Sequence, residues 1–252
     1  MRPRAAAAAV VVLGAALAVR ASAQGPPPTP GPAPRVERLG RSVEGRPIAV
    51  VRIGDRAAAR KVLVVGTVHG DEPAGRAVVD VLRRRAAPRG VELLLVRDLN
   101  PDGLRRHTRQ NARGVDLNRN SSQGRRFLGG PGSRFYAGPR PFSEPETRAI
   151  RALILRERPA LTIWYHQPYG LVDPPRPGGD ALARRYGRLT GLSVRPLRPI
   201  PGGLPRWQNV RVRRGSAFVV ELRAGPLSAA GRRRHAAAVL ALASAGAPGA
   251  GR

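Results

Sequence analysis

The sequence predicts an α/β domain with one mixed, mostly parallel sheet and helices on both faces. Two observations carry this. Short continuous apolar runs, Lys61 to Gly66 (KVLVVG), Val91 to Val96 and Leu161 to Tyr165, have the pattern of strands covered on both sides. Between the first two, Ala77, Val78, Val81 and Leu82 recur at helical spacing behind Pro73, which suits a first helical turn. Strand, loop, helix and strand in that order make the first half βαβ-like.

Taken from the N-terminus, Arg2 and Arg4 precede an apolar run from Ala5 to Val19 and then Ala21-Ser22-Ala23, a small-x-small cleavage pattern. Residues 1–23 are therefore expected to be a secretory signal peptide. The run is too short for the ~20 residues that span a bilayer, so the chain is expected not to span a membrane once the signal is cleaved. A Pro-rich segment, 24–34, reads as an extended linker, and the folded domain is expected over 35–245 with a disordered tail at 246–252. Val36 to Ile53, broken at Gly40 and Gly45, predicts a hairpin at a sheet edge. Asn100-Pro101-Asp102-Gly103 predicts a turn. Leu104 to Gly138 shows no sustained period and is too long for an idle connection, so it is expected to line a site. Ser143 with Glu146 predicts a capping box opening a helix from Glu144 to Arg158. A helix is expected at Asp180 to Thr190, a strand at Ala217 to Leu222, and a last helix from Leu227 to Ala243.

Composition narrows the chemistry. The 252 residues, 42% hydrophobic, suffice for one core. No cysteine is present, so thiolate metal sites and cysteine nucleophiles are excluded. The net charge of +29 favours polyanions. Specific nucleic-acid binding is not expected, because the arginines are scattered and few aromatics interleave with them. For an exported protein, anionic envelope polymers are the expected electrostatic partner.

His69 follows the KVLVVG strand directly, and Glu72 comes three residues later. His166 and Glu221 each stand at the C-terminal end of an apolar strand, where open α/β sheets gather functional groups. Two histidines and a carboxylate with a fourth position open form the pattern of a catalytic zinc site. His107 and His235 read as solvated surface residues.

In order, His69-Gly70-Asp71-Glu72, Asn100-Pro101-Asp102-Gly103, Gly114 to Asn120 (GVDLNRN), His166 and Glu221 resemble the zinc carboxypeptidases of the carboxypeptidase A family, over roughly Leu39 to Leu242. HTRQNARGVDLNRN and the stretch from Tyr165 to Pro174 look most like a small bacterial branch of murein-peptide amidases. The resemblance implies a zinc carboxypeptidase-like catalytic domain over 35–245 that binds one Zn2+ ion. It makes His69, Glu72 and His166 the metal ligands, and Glu221 the general base that activates water. Asn118 and Arg119 would hold the substrate carboxylate. Arg109 would stabilise the oxyanion, with Arg106 a rival, and Asp116 would orient His69.

The chain also departs from the digestive enzymes. No tyrosine lies between Val194 and Gly215, Tyr169 is not an evident substitute, and Trp207 with several prolines implies a different specificity pocket. Asp173 falls where the murein-peptide branch carries an acid, which the resemblance suits to an amino group on a diamino acid. The expected function is a secreted hydrolase of an amide bond next to a free carboxylate, in a peptide or cell-wall peptide, with the γ-D-glutamyl to diaminopimelate bond as the specific expectation. The alternatives are an N-acyl amino acid deacylase of the succinylglutamate desuccinylase or aspartoacylase type, and a non-catalytic binding module for envelope peptides.

Overall fold

The computed structural model describes residues 33–175 and 180–245. The expected leader, the linker up to residue 32 and the tail from 246 lie outside the described residues. Eight strands form one sheet: β1 Arg35–Arg41, β2 Pro47–Gly54, β3 Arg60–Val65, β4 Val91–Val96, β5 Leu161–His166, β6 Tyr169–Asp173, β7 Ser193–Val194 and β8 Ser216–Arg223. Their order is β1-β2-β4-β3-β5-β8-β6-β7. The central four, β4-β3-β5-β8, are parallel. On one flank β1 and β2 run antiparallel, and on the other β6 runs antiparallel to β8. The expected mixed, mostly parallel sheet is what forms, and the expected hairpin is its β1 edge.

Alternation along the buried strands sends side chains to two separate cores. Val62, Val64, Ile163 and Val220 face a core closed by three helices: α1 (Ala74–Leu82), α4 (Ala181–Thr190) and α6 (Ala229–Ser244). Leu63, Val65 and Trp164 face the opposite core, closed by α3 (Pro145–Glu157) and α5 (Leu204–Arg211). Both faces of the central strands are thus covered, which is why they read as unbroken apolar runs.

Several expectations change. Asn100 to Gly103 is not a free turn, because Pro101–Arg106 forms a short helix, α2, whose first turn Asn100 caps by accepting from the Gly103 N–H at 2.9 Å. The capping box at Ser143 does not form. The Ser143 hydroxyl donates to Glu144 Oε1 at 2.7 Å, and the Glu146 carboxylate accepts from the Val43 N–H and from Asn111 Nδ2, both at 3.1 Å. The helix instead starts at Pro145, whose missing N–H suits that position. Strands β6 and β7 and helix α5 occupy segments with no helical or alternating apolar signal. His235 is buried rather than solvated, with Nδ1 2.7 Å from the Tyr186 hydroxyl.

Candidate active site

Sheet topology brings the chemistry together. β3, β5 and β8 are parallel, so their C-terminal ends share one edge, and His166 stands directly opposite Glu221 in the β5–β8 register. His69 and Glu72 come from the loop between β3 and α1, which a turn closes with the Glu72 N–H donating to the His69 carbonyl at 3.1 Å. That loop lies against α2. A Cβ on Gly70 would fall 1.9 Å from the Gly103 carbonyl carbon, so only glycine permits this approach.

His69 Nε2 is 2.9 Å from Asp116 Oδ1, which places the ring proton on Nε2 and turns the Nδ1 lone pair inward. His166 Nδ1 lies 3.2 Å from it, and Glu72 Oε2 is 3.0 Å from His69 Nδ1 and 2.7 Å from His166 Nδ1. A single proton among these three atoms leaves two lone pairs opposed, whereas a divalent cation accepts all three. His69, Glu72 and His166 are also the one triad of metal-type donors found among the described residues. The electrostatics agree. Burial opposes a charge on His69, yet Asp116 and Glu72 outweigh it and hold the imidazole above its ordinary pKa. Burial likewise resists ionisation of Glu72, but His69 and His166 keep the carboxyl well below the usual range. The site therefore attracts positive charge, and its residues fit a metal ion.

The long aperiodic segment supplies the second wall. Asn111 and Asn120 pin it from inside: Asn111 Oδ1 accepts from the Arg113 and Val115 N–H groups, while Asn120 Nδ2 donates to the Ala137 carbonyl at 2.8 Å. Thus fixed, Asp116 caps a single 3-10 turn, Leu117–Arg119, and presents Asn118 and Arg119 to the site. Asn118 accepts from the Leu204 N–H at 2.9 Å, and its amide nitrogen lies 3.4 Å from His166 Nε2. Arg109 donates from Nε to Asp116 Oδ2 at 2.9 Å and from a terminal nitrogen to Glu72 Oε1 at 3.0 Å. Arg106 points elsewhere and pairs with Glu44, so of the two rivals Arg109 is the one at the site.

His69, Glu72, Arg109, Asn118, Arg119 and His166 line a cleft of about 1050 Å³ that also receives Tyr169, Asp173 and Glu221. Glu221 is buried beside the triad, and its Oε2 has no hydrogen-bond partner among the described residues. Burial raises its pKa, helped by Glu72 and opposed by His166 and His69. Asp173 accepts from the Leu197 N–H at 3.0 Å. His107 is exposed and is not among the residues that line the cleft. Reading the sequence missed Arg134 and Phe135, which also line the cleft. An aromatic set among arginines in a long aperiodic segment was the available signal.

A parallel sheet that delivers two histidines and a carboxylate to one point, with a second buried carboxylate next to them whose Oε2 has no hydrogen-bond partner among the described residues, defines a metal-dependent hydrolase. The chain belongs to the zinc carboxypeptidase family (Peptidase_M14), which it matches over residues 33–172, and is a peptide hydrolase. It is 32% identical over 167 residues to murein peptide amidase A of Escherichia coli (strain K12), covering 61% of this chain and 68% of that protein. The corresponding protein of Vibrio campbellii is 28% identical over 200 residues, covering 71% and 79%. Among solved structures, murein-tripeptide amidase from Escherichia coli O157 superposes with a TM-score of 0.64 at 26% identity, covering 82% of this chain and 91% of that one. Carboxypeptidase A from Helicoverpa armigera gives a TM-score of 0.70 at 19% identity over 86% and 70%, a likeness of fold.

Proposed function

We propose that this protein is a zinc-dependent murein-peptide amidase, exported to the cell envelope, that hydrolyses the γ-D-glutamyl to diaminopimelate bond. The observation that carries the reading is the buried Glu221 beside His69, Glu72 and His166, whose Oε2 has no hydrogen-bond partner among the described residues, in a chain whose relatives are named for murein peptides. The N-terminal apolar run behind Arg2 and Arg4 supports export, and the net charge of +29 supports electrostatic association with anionic envelope polymers.

His69, Glu72 and His166 would hold one zinc ion, and that ion would supply Lewis acidity toward the scissile carbonyl and the attacking water. The remaining work belongs to the side chains. Glu221, raised in pKa by burial, takes the proton from the attacking water and returns it to the leaving amine. Arg109 holds its plane through Asp116 and Glu72 and keeps further N–H groups for the oxyanion. Arg119 and Asn118 receive the free carboxylate of the leaving residue, a planar anion suited to a guanidinium fork. Asp173 lines the cleft, and its carboxylate would meet the amino group of a diamino acid.

The test is hydrolysis of L-Ala-γ-D-Glu-meso-diaminopimelate by the zinc-loaded protein, beside Glu221→Gln and an ordinary C-terminal dipeptide. Cleavage of the tripeptide alone, with kcat reduced at least about a thousandfold in Glu221→Gln at unchanged zinc content, is the expected result. Failure of a zinc-loaded protein to cut either substrate would favour deacylation of N-acyl amino acids or peptide binding without cleavage.

A further inference from the structure

Three guanidinium groups surround one exposed phenyl ring in the cleft. The guanidinium carbons of Arg119, Arg109 and Arg134 lie 5.0, 5.6 and 5.9 Å from the Phe135 ring centroid, within cation–π range. Phe135 remains 41% exposed, and both it and Arg134 line the cleft with Asn118, Arg119 and Glu221. The three arginines are not equivalent. Arg109 is committed to Asp116 and Glu72. Arg119 donates one hydrogen bond, at 2.9 Å to the Asn118 carbonyl, and stands 3.8 Å from Asp116. The Arg134 side chain has no ion pair or hydrogen bond among the described residues; its backbone carbonyl accepts from Gln110.

A guanidinium packed against an aromatic face keeps its in-plane N–H edge for an anion. The ring thus holds two such edges, on Arg119 and Arg134, at the border of one cleft. A single carboxylate occupies one fork bidentately, so the second edge suits a second planar anion. We propose that Arg134, held against Phe135, is a second carboxylate-binding site of this enzyme, so that its substrates are peptides carrying at least two carboxylates. Phe135 acts as a positioning residue. This inference rests on the peptide-amidase reading and deepens it.

In the tripeptide the extra anion could be the α-carboxylate of D-Glu or the distal carboxylate of diaminopimelate. Calorimetric binding in the Glu221→Gln background, zinc-loaded to stop turnover, separates the two. The ligands are L-Ala-γ-D-Glu-meso-diaminopimelate, its D-Glu α-carboxamide, and the form with L-Lys in place of diaminopimelate, which keeps the side-chain amine. Adding Arg134→Gln should weaken tripeptide binding about tenfold. It should leave unchanged the affinity for whichever analogue already lacks the paired carboxylate. Phe135→Leu should reproduce that selectivity and Phe135→Tyr should restore wild-type affinity, which loss of general packing would not do. Equal weakening of all three ligands by Arg134→Gln, or none, overturns the proposal. Selective binding without cleavage by the Glu221 protein removes only the functional reading above, whereas cleavage with binding indifferent to Arg134 removes only this one. Absence of tripeptide binding removes both.

Discussion

Asp116 shows how much one side chain organises. Its Oδ1 accepts from His69 Nε2 and from the Asn118 N–H, both at 2.9 Å, and its Oδ2 accepts from Arg109 at 2.9 Å. Burial opposes its charge, but His69 and then Arg109 and Arg119 keep the carboxyl far below the usual range. The same carboxylate therefore fixes the tautomer of one metal-type ligand, the plane of one arginine and the turn that carries Asn118. Asp116→Asn keeps the volume and loses the charge. It should lower zinc affinity by about 10- to 100-fold, the usual cost of losing such a supporting contact. Competition with a chromophoric chelator measures this. Unchanged affinity together with unchanged kcat would show that backbone packing, not Asp116, orients His69.

At the level of elements, α6 is tied to α4 and β5 by a buried polar chain. The Tyr186 hydroxyl lies 2.8 Å from that of Tyr165 and 2.7 Å from His235 Nδ1. Burial, aided by Arg234, lowers the His235 pKa to about 4. The unfolded chain binds this proton near the ordinary histidine value of about 6.5, while the native state resists it. Stability from this group is thus complete above about pH 6.5 and is lost as pH falls toward 4, by on the order of 3 kcal/mol. The midpoint of urea unfolding should accordingly drop between pH 7 and pH 4.5 in the wild type and drop less in His235→Gln. Parallel pH profiles would remove His235 as the cause. The sequence misplaces His235 because Arg232, Arg233 and Arg234 make its surroundings look polar, and its hydrogen-bond partner is a distant tyrosine. Helix α5 is hidden for a related reason. Its sheet-facing residues are partly polar: Gln208 accepts from Trp164 Nε1 at 3.1 Å and donates to Thr162 at 2.6 Å, and Asn209 exchanges two hydrogen bonds with Ala217. Apolar periodicity cannot register a buried face built from amides. The four central strands were legible because both their faces are covered. The metal-type residues were legible too, since His166 ends β5 and His69 and Glu72 lie in the short loop that follows β3. Phe135 and Arg134 were not, because their segment is fixed by the side-chain amides of Asn111 and Asn120 rather than by any repeating pattern.

For the whole molecule, two electrostatic facts bear on stability. The net charge of +29 means self-repulsion, which salt screens. The metal-type triad acts in the opposite direction. His69 and His166 are separated by 97 positions in the chain yet meet at 3.2 Å, so the unfolded chain does not assemble the site and an ion bound there favours the native state alone. At a free zinc concentration about a thousandfold above Kd, the linkage is worth about 4 kcal/mol. For a domain of this size that corresponds to a rise in Tm of roughly 8 to 16 °C. Scanning calorimetry of the zinc-loaded protein, with and without a chelator and at low and high salt, separates the two contributions. Salt should raise Tm in both forms, because screening acts on the distributed charge. The difference between the forms should persist at high salt, because the triad is buried and its interactions are poorly screened. If chelation leaves Tm unchanged at either salt concentration, the native state holds no ion at His69, Glu72 and His166, and the attraction for positive charge there must be met by protons shared among the three side chains.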